Sequence, residues 1–272
     1  GEHGSARVWP AAHLLVEFVA SLCASEDAAG RSGGFGILEM GSGTGYGAWS
    51  IAERVPACWV TATEMMAEGA FDRLRRNIAR AQTLHGSRGS PAGRVHAAEL
   101  SWQEAESFVR RQGQGVTTTR WVVGSDLVYN ALTVRLFSDA LRTLLSTLPG
   151  VQCAYYAHTL FRFGGFSYDA ALYESLTLAG LAVELVHADG LMRTQWSSLL
   201  HSDLSRQVVV VVQISLRSEA VSPGSGTGGG DSLTEQVFLH ARTTERRESR
   251  DFEESEEGAV AAHLSDLLFD DL

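Results

Sequence analysis

The chain has 272 residues, of which 44% are hydrophobic, and this length is enough to bury one sizeable core. Its longest uninterrupted apolar run, 208–212, is too short to cross a bilayer, so no membrane partner is expected. The formal charge is −10 at pH 7, but residues 217–272 carry 13 acidic residues against 5 arginines, or −8 of that total. The remaining body carries only −2, which gives no basic surface for tight binding of a nucleic acid.

The three cysteines, Cys23, Cys58 and Cys153, are widely separated and form neither a CxxC pair nor a cluster with histidine. This spacing argues against a disulfide framework and against a structural zinc site, so no metal is predicted. Cysteines that stay reduced are typical of intracellular proteins. We therefore expect a cytoplasmic protein, with the nucleus as the alternative compartment.

The hydrophobic pattern predicts helices and strands that alternate through most of the chain. Helices are predicted at residues 9–24, 45–54, 67–81, 132–148 and 168–179. Strands are predicted at residues 35–40, 59–63, 94–99, 120–125, 151–157, 181–187 and 207–216. This order is typical of an α/β fold, here a Rossmann-like sheet of seven mostly parallel strands with helices on both faces. Because no helix is predicted between the last two strands, we expect an antiparallel end to the sheet.

The composition divides the chain into a folded body and a tail. Residues 1–217, including an N-terminal helical segment at 1–34, are predicted to form one domain. Residues 218–272 contain a run rich in glycine and serine followed by an acidic stretch, a composition typical of a flexible tail. A short docking helix within 260–268 is the alternative interpretation of the tail.

The strongest local signal is the glycine-rich segment that joins the first predicted strand to the next helix. Its sequence is LEMGSGTG, with Glu39 two residues before Gly41 and further glycines at Gly43 and Gly45. Glycines at such a turn let the backbone approach a ligand closely. The start of the following helix offers unpaired N–H groups and the positive end of the helix dipole.

The spacing of the glycines distinguishes two classes of ligand. A dinucleotide fingerprint, G-x-G-x-x-G/A, fails from Gly41 because Tyr46 occupies its third position, and it fits only weakly from Gly43 through Ala48. The pattern acidic-x-G-x-G-x-G fits completely. A carboxylate at Glu39 would repel a pyrophosphate, whereas it would suit a ligand that carries an ammonium and a sulfonium. The turn therefore favours S-adenosylmethionine.

A second acidic residue supports this assignment. Glu64 ends the second predicted strand, about 20 residues past the glycines. A carboxylate at that position of an α/β sheet can accept hydrogen bonds from ribose hydroxyls.

Five segments together resemble the seven-strand class I methyltransferases and, within them, the family-16 protein methyltransferases, many of which act on lysine. The resemblance covers roughly residues 7–216. The segments are Arg7–Ala12, Leu38–Gly45, Val60–Glu64, Glu99–Trp102 and Gly124–Tyr129. The chain departs from the family at four positions. The family often has aspartate at the position of Glu64 and a small apolar residue at that of Ser125. After the glycines it prefers aliphatic residues, whereas this chain has Tyr46 and Trp49.

The resemblance implies S-adenosylmethionine as the cofactor and a role for each matching residue. Trp9 would pack beside the methionine end, Glu64 would hold the ribose, and Trp102 would lie against the adenine. Ser125 would line the pocket beside the fourth strand. The residues that cradle the cofactor would be Glu39, Gly41, Ser42 and Gly43.

Asp126 and Tyr129 are the predicted catalytic residues, since they match the acidic-x-x-Tyr motif of the family. Asp126 would orient the acceptor amine, and the ring face of Tyr129 would attract the cationic amine. The alternative interpretations are a helix cap for Asp126 and ordinary packing for Tyr129, as for Trp9 and Trp102. His158 and His187 are interpreted as structural.

The sequence thus predicts a methyltransferase that modifies lysine side chains of a partner protein. Histidine or a small-molecule amine is the alternative acceptor, and a non-catalytic cofactor-binding module is a further alternative. An NAD-dependent oxidoreductase is disfavoured, since the chain has no second glycine fingerprint and no lysine for a catalytic Tyr/Lys pair. A monomer is expected.

Overall fold

The computed structural model describes residues 8–28, 33–84, 93–112, 119–160, 169–188 and 208–217. Its helices are α1 (Pro10–Ala28), α2 (Tyr46–Arg54), α3 (Ala70–Leu84), α4 (Ala105–Gln112), α5 (Ala131–Thr147) and α6 (Asp169–Leu178). Its strands are β1 (Phe35–Met40), β2 (Cys58–Glu64), β3 (Val95–Glu99), β4 (Thr119–Ser125), β5 (Cys153–Leu160), β6 (Leu181–Ala188) and β7 (Val208–Leu216). The proposed tail, 218–272, lies outside the described residues.

All seven strands form one sheet in the order β3-β2-β1-β4-β5-β7-β6. Strands β1 to β5 pair in parallel, and β7 runs antiparallel between β5 and β6. The predicted fold class, a mostly parallel sheet with an antiparallel end, is therefore confirmed. The chain continues from β1 to β2 and β3 on one side of β1, and then returns to β4 and β5 on its other side. In α/β folds, the carboxyl ends of the two strands at such a reversal, here β1 and β4, form the crevice that binds ligands.

Helices cover both faces of the sheet. Buried residues of α1, α2 and α3 pack on one face, where Trp121 of β4 is almost fully buried. Buried residues of α4, α5 and α6 pack on the other face, together with Val122 of the same strand. Successive residues of β4 thus point into different cores, which explains why the strand is a continuous apolar run rather than an alternating one.

Two helices differ from the prediction, one in its start and one in its presence. The helix expected from residue 67 begins instead with a 3₁₀ turn at Ala67–Gly69 and becomes α-helical only at Ala70. Gly69 has φ 70°, a left-handed conformation that interrupts the helix. Helix α4 was not predicted, because it has eight residues and only Ala105 and Phe108 are buried in it.

Among the described residues, no helix combines the length and the apolar content needed to span a bilayer.

Candidate cofactor and acceptor site

The glycine turn connects β1 to α2 and has the backbone geometry that only glycine adopts readily. Gly41, Gly43 and Gly45 have φ values of 58°, 54° and 86°, all in the left-handed region. A Cβ at Gly41 would also lie 2.4 Å from Cδ2 of Leu127. The Ser42 N–H donates to the carbonyl of Thr63 at 2.8 Å, so the turn is fixed to the end of β2.

Glu39 lies on β1 directly beneath the turn, and its side chain is buried. Its Oε2 accepts a hydrogen bond from the N–H of Ala48 at 3.0 Å, within the first turn of α2. Its carbonyl accepts from Oγ1 of Thr63 at 2.7 Å. The carboxylate thus meets the positive end of the helix dipole, while its backbone holds the end of the neighbouring strand.

Gly47 is a site residue that the sequence analysis missed. A Cβ at this position would lie 2.0 Å from Oε1 of Glu39, so a larger residue would displace the carboxylate. The signal was present in the sequence as a glycine in the first turn of a predicted helix, where glycine is otherwise unfavourable.

Burial raises the pKa of Glu39 from 4.5 to about 7. The hydroxyl of Ser42 and the N–H of Ala48 oppose this shift, and the nearby charge of Glu64 adds to it. The carboxyl group is therefore close to half-ionised at neutral pH, and a cation bound near it would favour the ionised form.

Glu64 ends β2 and joins that strand to the glycine turn. Its Oε2 accepts from the N–H of Gly43 at 2.8 Å, and its Oε1 accepts from the N–H of Met65 at 3.0 Å. Each carboxylate oxygen has two lone-pair positions, so both oxygens retain capacity to accept a hydroxyl donor. The structure thus brings Glu64 and the glycine turn together as the sequence analysis expects.

Trp102 lies in a 3₁₀ turn immediately after β3. This is the same edge of the sheet as Glu64, because the N–H of Leu100 donates to the carbonyl of Glu64 at 3.0 Å. The half-buried ring meets Phe137 of α5 edge-on, with 5.6 Å between ring centroids. Its contact with an adenine stays a prediction. So does the contact of Trp9, half-buried just before α1, with the methionine end of the cofactor.

Ser125 and Asp126 end β4 at the same edge. Ser125 is half-buried, whereas Asp126 is 6% exposed and has φ 49°. The Asp126 carboxylate accepts two hydrogen bonds from Thr159 of β5, from the N–H and from Oγ1, both at 2.8 Å. Its carboxylate is therefore directed toward β5, and direct contact with an acceptor amine stays a prediction.

Helix α5 is capped by Asn130 and not by Asp126. The side chain of Asn130 accepts from the N–H of Thr133 at 2.8 Å, and the Thr133 hydroxyl in turn accepts from the N–H of Asn130. Tyr129, just before this capping box, is 50% exposed. Its ring is thus exposed to solvent rather than packed in the core.

The two aromatic departures from the family pattern, Tyr46 and Trp49, line a separate cavity. This cavity of about 320 Å³ lies between α2 and α3. Thr44 and Gly45 of the glycine turn line it, but none of the predicted cofactor-binding or catalytic residues does. The hydroxyl of Tyr46 also pairs with Nδ1 of His13 at 2.6 Å. The unusual aromatics therefore change the outer surface of α2 and not the edge that carries Glu64 and Asp126.

Comparison with protein families gives one match, to a family described as lysine methyltransferase, over residues 1–159. No curated protein matches the chain significantly.

Among the solved structures that resemble this chain, three illustrate the likeness, each at low identity. The N-terminal domain of human METTL16 in complex with SAH is 11% identical, with TM-score 0.49 and coverage of 78% of this chain and 72% of that chain. A METTL16 MTase domain is 11% identical, with TM-score 0.46, covering 75% of this chain and 66% of that one. Magnesium protoporphyrin IX methyltransferase (ChlM) from Synechocystis PCC 6803, with bound SAH, is 14% identical, with TM-score 0.45, covering 75% and 83%. These likenesses are too weak to identify an acceptor.

Proposed function

The chain belongs to the lysine methyltransferase family, and on that premise we propose that it transfers a methyl group to lysine side chains of a partner protein. S-adenosylmethionine is the cofactor of the family and of this methyltransferase. The observation that carries the proposal is the hydrogen bond from the Gly43 N–H to the Glu64 carboxylate at 2.8 Å. It joins the glycine turn to Glu64, the acid that we propose holds the ribose, at the carboxyl ends of the strands.

The residues at this edge fit the cofactor. The left-handed glycines leave the backbone of the turn open to close approach, as the methionine part requires. Glu64 retains acceptor capacity for ribose hydroxyls, and Trp102 follows the adjacent strand. Glu39 supplies negative charge under the turn, where a cationic group would be favoured.

S-adenosylmethionine supplies a methyl group that is already activated on a sulfonium, so positioning of the acceptor accounts for most of the remaining catalysis. Tyr129 supports a cationic acceptor, because its exposed ring face attracts an ammonium group. An exposed ring of this kind suits an amine that a partner protein presents on its surface. Leu132, three residues later, is also exposed (67%) but has no proposed role in the site, so it serves as a control.

The test uses the full chain, S-adenosylmethionine labelled on its methyl group, and a dialysed cell lysate. Labelled proteins are hydrolysed and the methylated amino acid is identified. Because this chain contains no lysine, any methyl-lysine comes from another protein. We expect methyl-lysine, with incorporation reduced about 10-fold or more in Tyr129→Ala, a loss of roughly 1.4 kcal/mol or more of transition-state stabilisation, and little changed in Leu132→Ala.

The other results would contradict parts of the proposal. Methyl-histidine would show that histidine is the acceptor. Label found only in small molecules would show that the acceptor is a small-molecule amine. Tight binding of S-adenosylmethionine with no incorporation of label would instead favour a non-catalytic binding module.

A further inference from the structure

The turn that carries the acceptor side of the site, residues 126–129, is held by side chains of the neighbouring strand β5. The N–H of Leu127 donates to the hydroxyl of Tyr156 at 3.0 Å. The N–H and the hydroxyl of Thr159 both donate to the Asp126 carboxylate. Strand β5 therefore holds in place the turn that ends at Tyr129.

A buried histidine lies between these two attachment points. His158 Nε2 is 2.5 Å from Oδ1 of Asp169, the first residue of α6, and its Nδ1 is 4.0 Å from Oδ1 of Asp126. Its ring stacks on Tyr156, with 5.7 Å between centroids and 22° between planes. The side chains of all three ionisable residues are at most 4% exposed.

Burying these three ionisable side chains lowers the stability of the fold relative to a purely apolar core. Burying two carboxylates and an imidazole removes them from water, and apolar residues of similar volume commonly serve stability as well or better. Asp126 also adopts a left-handed backbone conformation, which is uncommon for residues other than glycine, although aspartate tolerates it better than most. Such strain clusters at functional sites, and here it occurs at the carboxyl edge of the sheet beside the predicted acceptor residues.

We infer that His158, backed by Asp169, is a positioning residue for methyl transfer: it fixes the Asp126 carboxylate and, through the 126–129 turn, the ring of Tyr129. This inference rests on the proposed function. His158 is only 3% exposed, so it acts through Asp126 and not by touching substrate. The Asp169 contact holds the imidazole in one orientation, and the Tyr156 ring restricts its rotation.

The test compares His158→Leu, His158→Gln and Asp169→Asn with the wild-type full chain, with His187→Leu as the matched control. His187 is an exposed histidine near the end of β6 and lies outside the cluster. Amide hydrogen exchange is measured for Leu127 and Thr159, whose N–H groups form hydrogen bonds between the 126–129 turn and β5. The amides of Ser42 and Gly43, in the glycine turn, serve as internal references.

We expect exchange at Leu127 and Thr159 to be at least about 10-fold faster in His158→Leu, with Ser42 and Gly43 unchanged. The affinity for S-adenosylmethionine should stay within about 2-fold. Methyl incorporation at saturating S-adenosylmethionine should fall about 10- to 100-fold in His158→Leu and in Asp169→Asn, as displacement of a positioned group does. His158→Gln should lose less, because its amide can still donate to Asp169.

Unchanged exchange at Leu127 and Thr159, or an unchanged rate of methyl incorporation at saturating cofactor, would overturn the inference. So would a uniform loss of protection at all four amides, since that result marks a purely structural residue. A wild-type chain that transfers no methyl group would refute the proposed function by itself, and the exchange rates would still decide whether His158 holds the turn.

Discussion

Two glutamates at neighbouring strand ends differ in their environments although both lie near the glycine turn. Glu64 uses both oxygens to hold backbone N–H groups, of Gly43 and of Met65. Glu39 is buried beneath the turn and bonds Ala48, and its pKa is raised to about 7 by that burial. Glu39 is thus expected to change charge near neutral pH.

The raised pKa of Glu39 predicts that binding of S-adenosylmethionine strengthens with pH. The ionised carboxylate favours a cationic ligand, and with a pKa of about 7 the ionised fraction is about 10-fold smaller at pH 6 than at pH 8. The dissociation constant should therefore be about 10-fold larger at pH 6, as measured by calorimetry. Glu39→Gln should bind more weakly at pH 8 and lose this dependence; an equal pH dependence in the variant would contradict the assignment.

The same shift fixes the sign of a stability change in the ligand-free protein. A carboxyl group whose folded pKa exceeds its unfolded value of 4.5 stabilises the fold fully below pH 4.5, and this contribution is lost as pH rises through about 7. Relative to Glu39→Gln, the wild type should lose about 3 kcal/mol of unfolding free energy over that window. Chemical denaturation of both chains at pH 4.5 and pH 8 checks this. A constant difference would show that Glu39 has an ordinary pKa.

Gly47 should be intolerant of even one added carbon. Alanine there would move the Glu39 carboxylate away from Ala48, and this loss outweighs the gain of about 1 kcal/mol that alanine brings to a helix. We expect Gly47→Ala to lower the unfolding free energy by roughly 1–2 kcal/mol net and to weaken S-adenosylmethionine binding. In the control Gly93→Ala, no atom of the described residues lies within 4 Å of the new Cβ, so a similar loss there would refute the explanation.

At the scale of the elements, the sequence predicts what depends on local pattern and misses what depends on distant partners. Inner strands such as β1 and β5 are recognisable because they are short apolar runs buried on both faces. Helix α4 is too short to show a periodic pattern. The contact between Asp126 and Thr159 spans 33 residues, so no motif could reveal that the carboxylate points toward β5, or that His158 lies beside it.

The cap of α5 allows a test of one element. Asn130→Ala removes the acceptor for the N–H of Thr133 and should cost about 1 kcal/mol, which lowers the melting temperature by about 2–4 °C. Ser101 precedes a 3₁₀ turn without making a capping bond, so Ser101→Ala should change the unfolding free energy by less than about 0.5 kcal/mol. Equal effects of the two changes in thermal denaturation would argue against the capping box.

At the scale of the whole molecule, the sheet order places the predicted site residues that end or follow β1, β2, β3 and β4 at the carboxyl ends of these strands. The position of Trp9 relative to them stays a prediction. Glu39, the glycines, Glu64 and Asp126 come from β1, β2 and β4, whose carboxyl ends lie side by side. The sequence predicted this convergence because parallel strands present their carboxyl ends together. The acidic segment 218–272 lies outside the described residues, and its division from the body stays a prediction.

The central claim is that the unit formed by the glycine turn and Glu64 binds S-adenosylmethionine. The most direct test is calorimetric titration of S-adenosylmethionine and of NAD into the full chain, into Glu64→Ala and into Glu99→Ala. Glu99 is the matched control, since it pairs with Glu64 across β2 and β3 and is exposed. We predict binding of S-adenosylmethionine only, weakened about 10- to 100-fold by Glu64→Ala and unchanged by Glu99→Ala. Binding of NAD, or affinity for S-adenosylmethionine that is insensitive to Glu64, would contradict the claim.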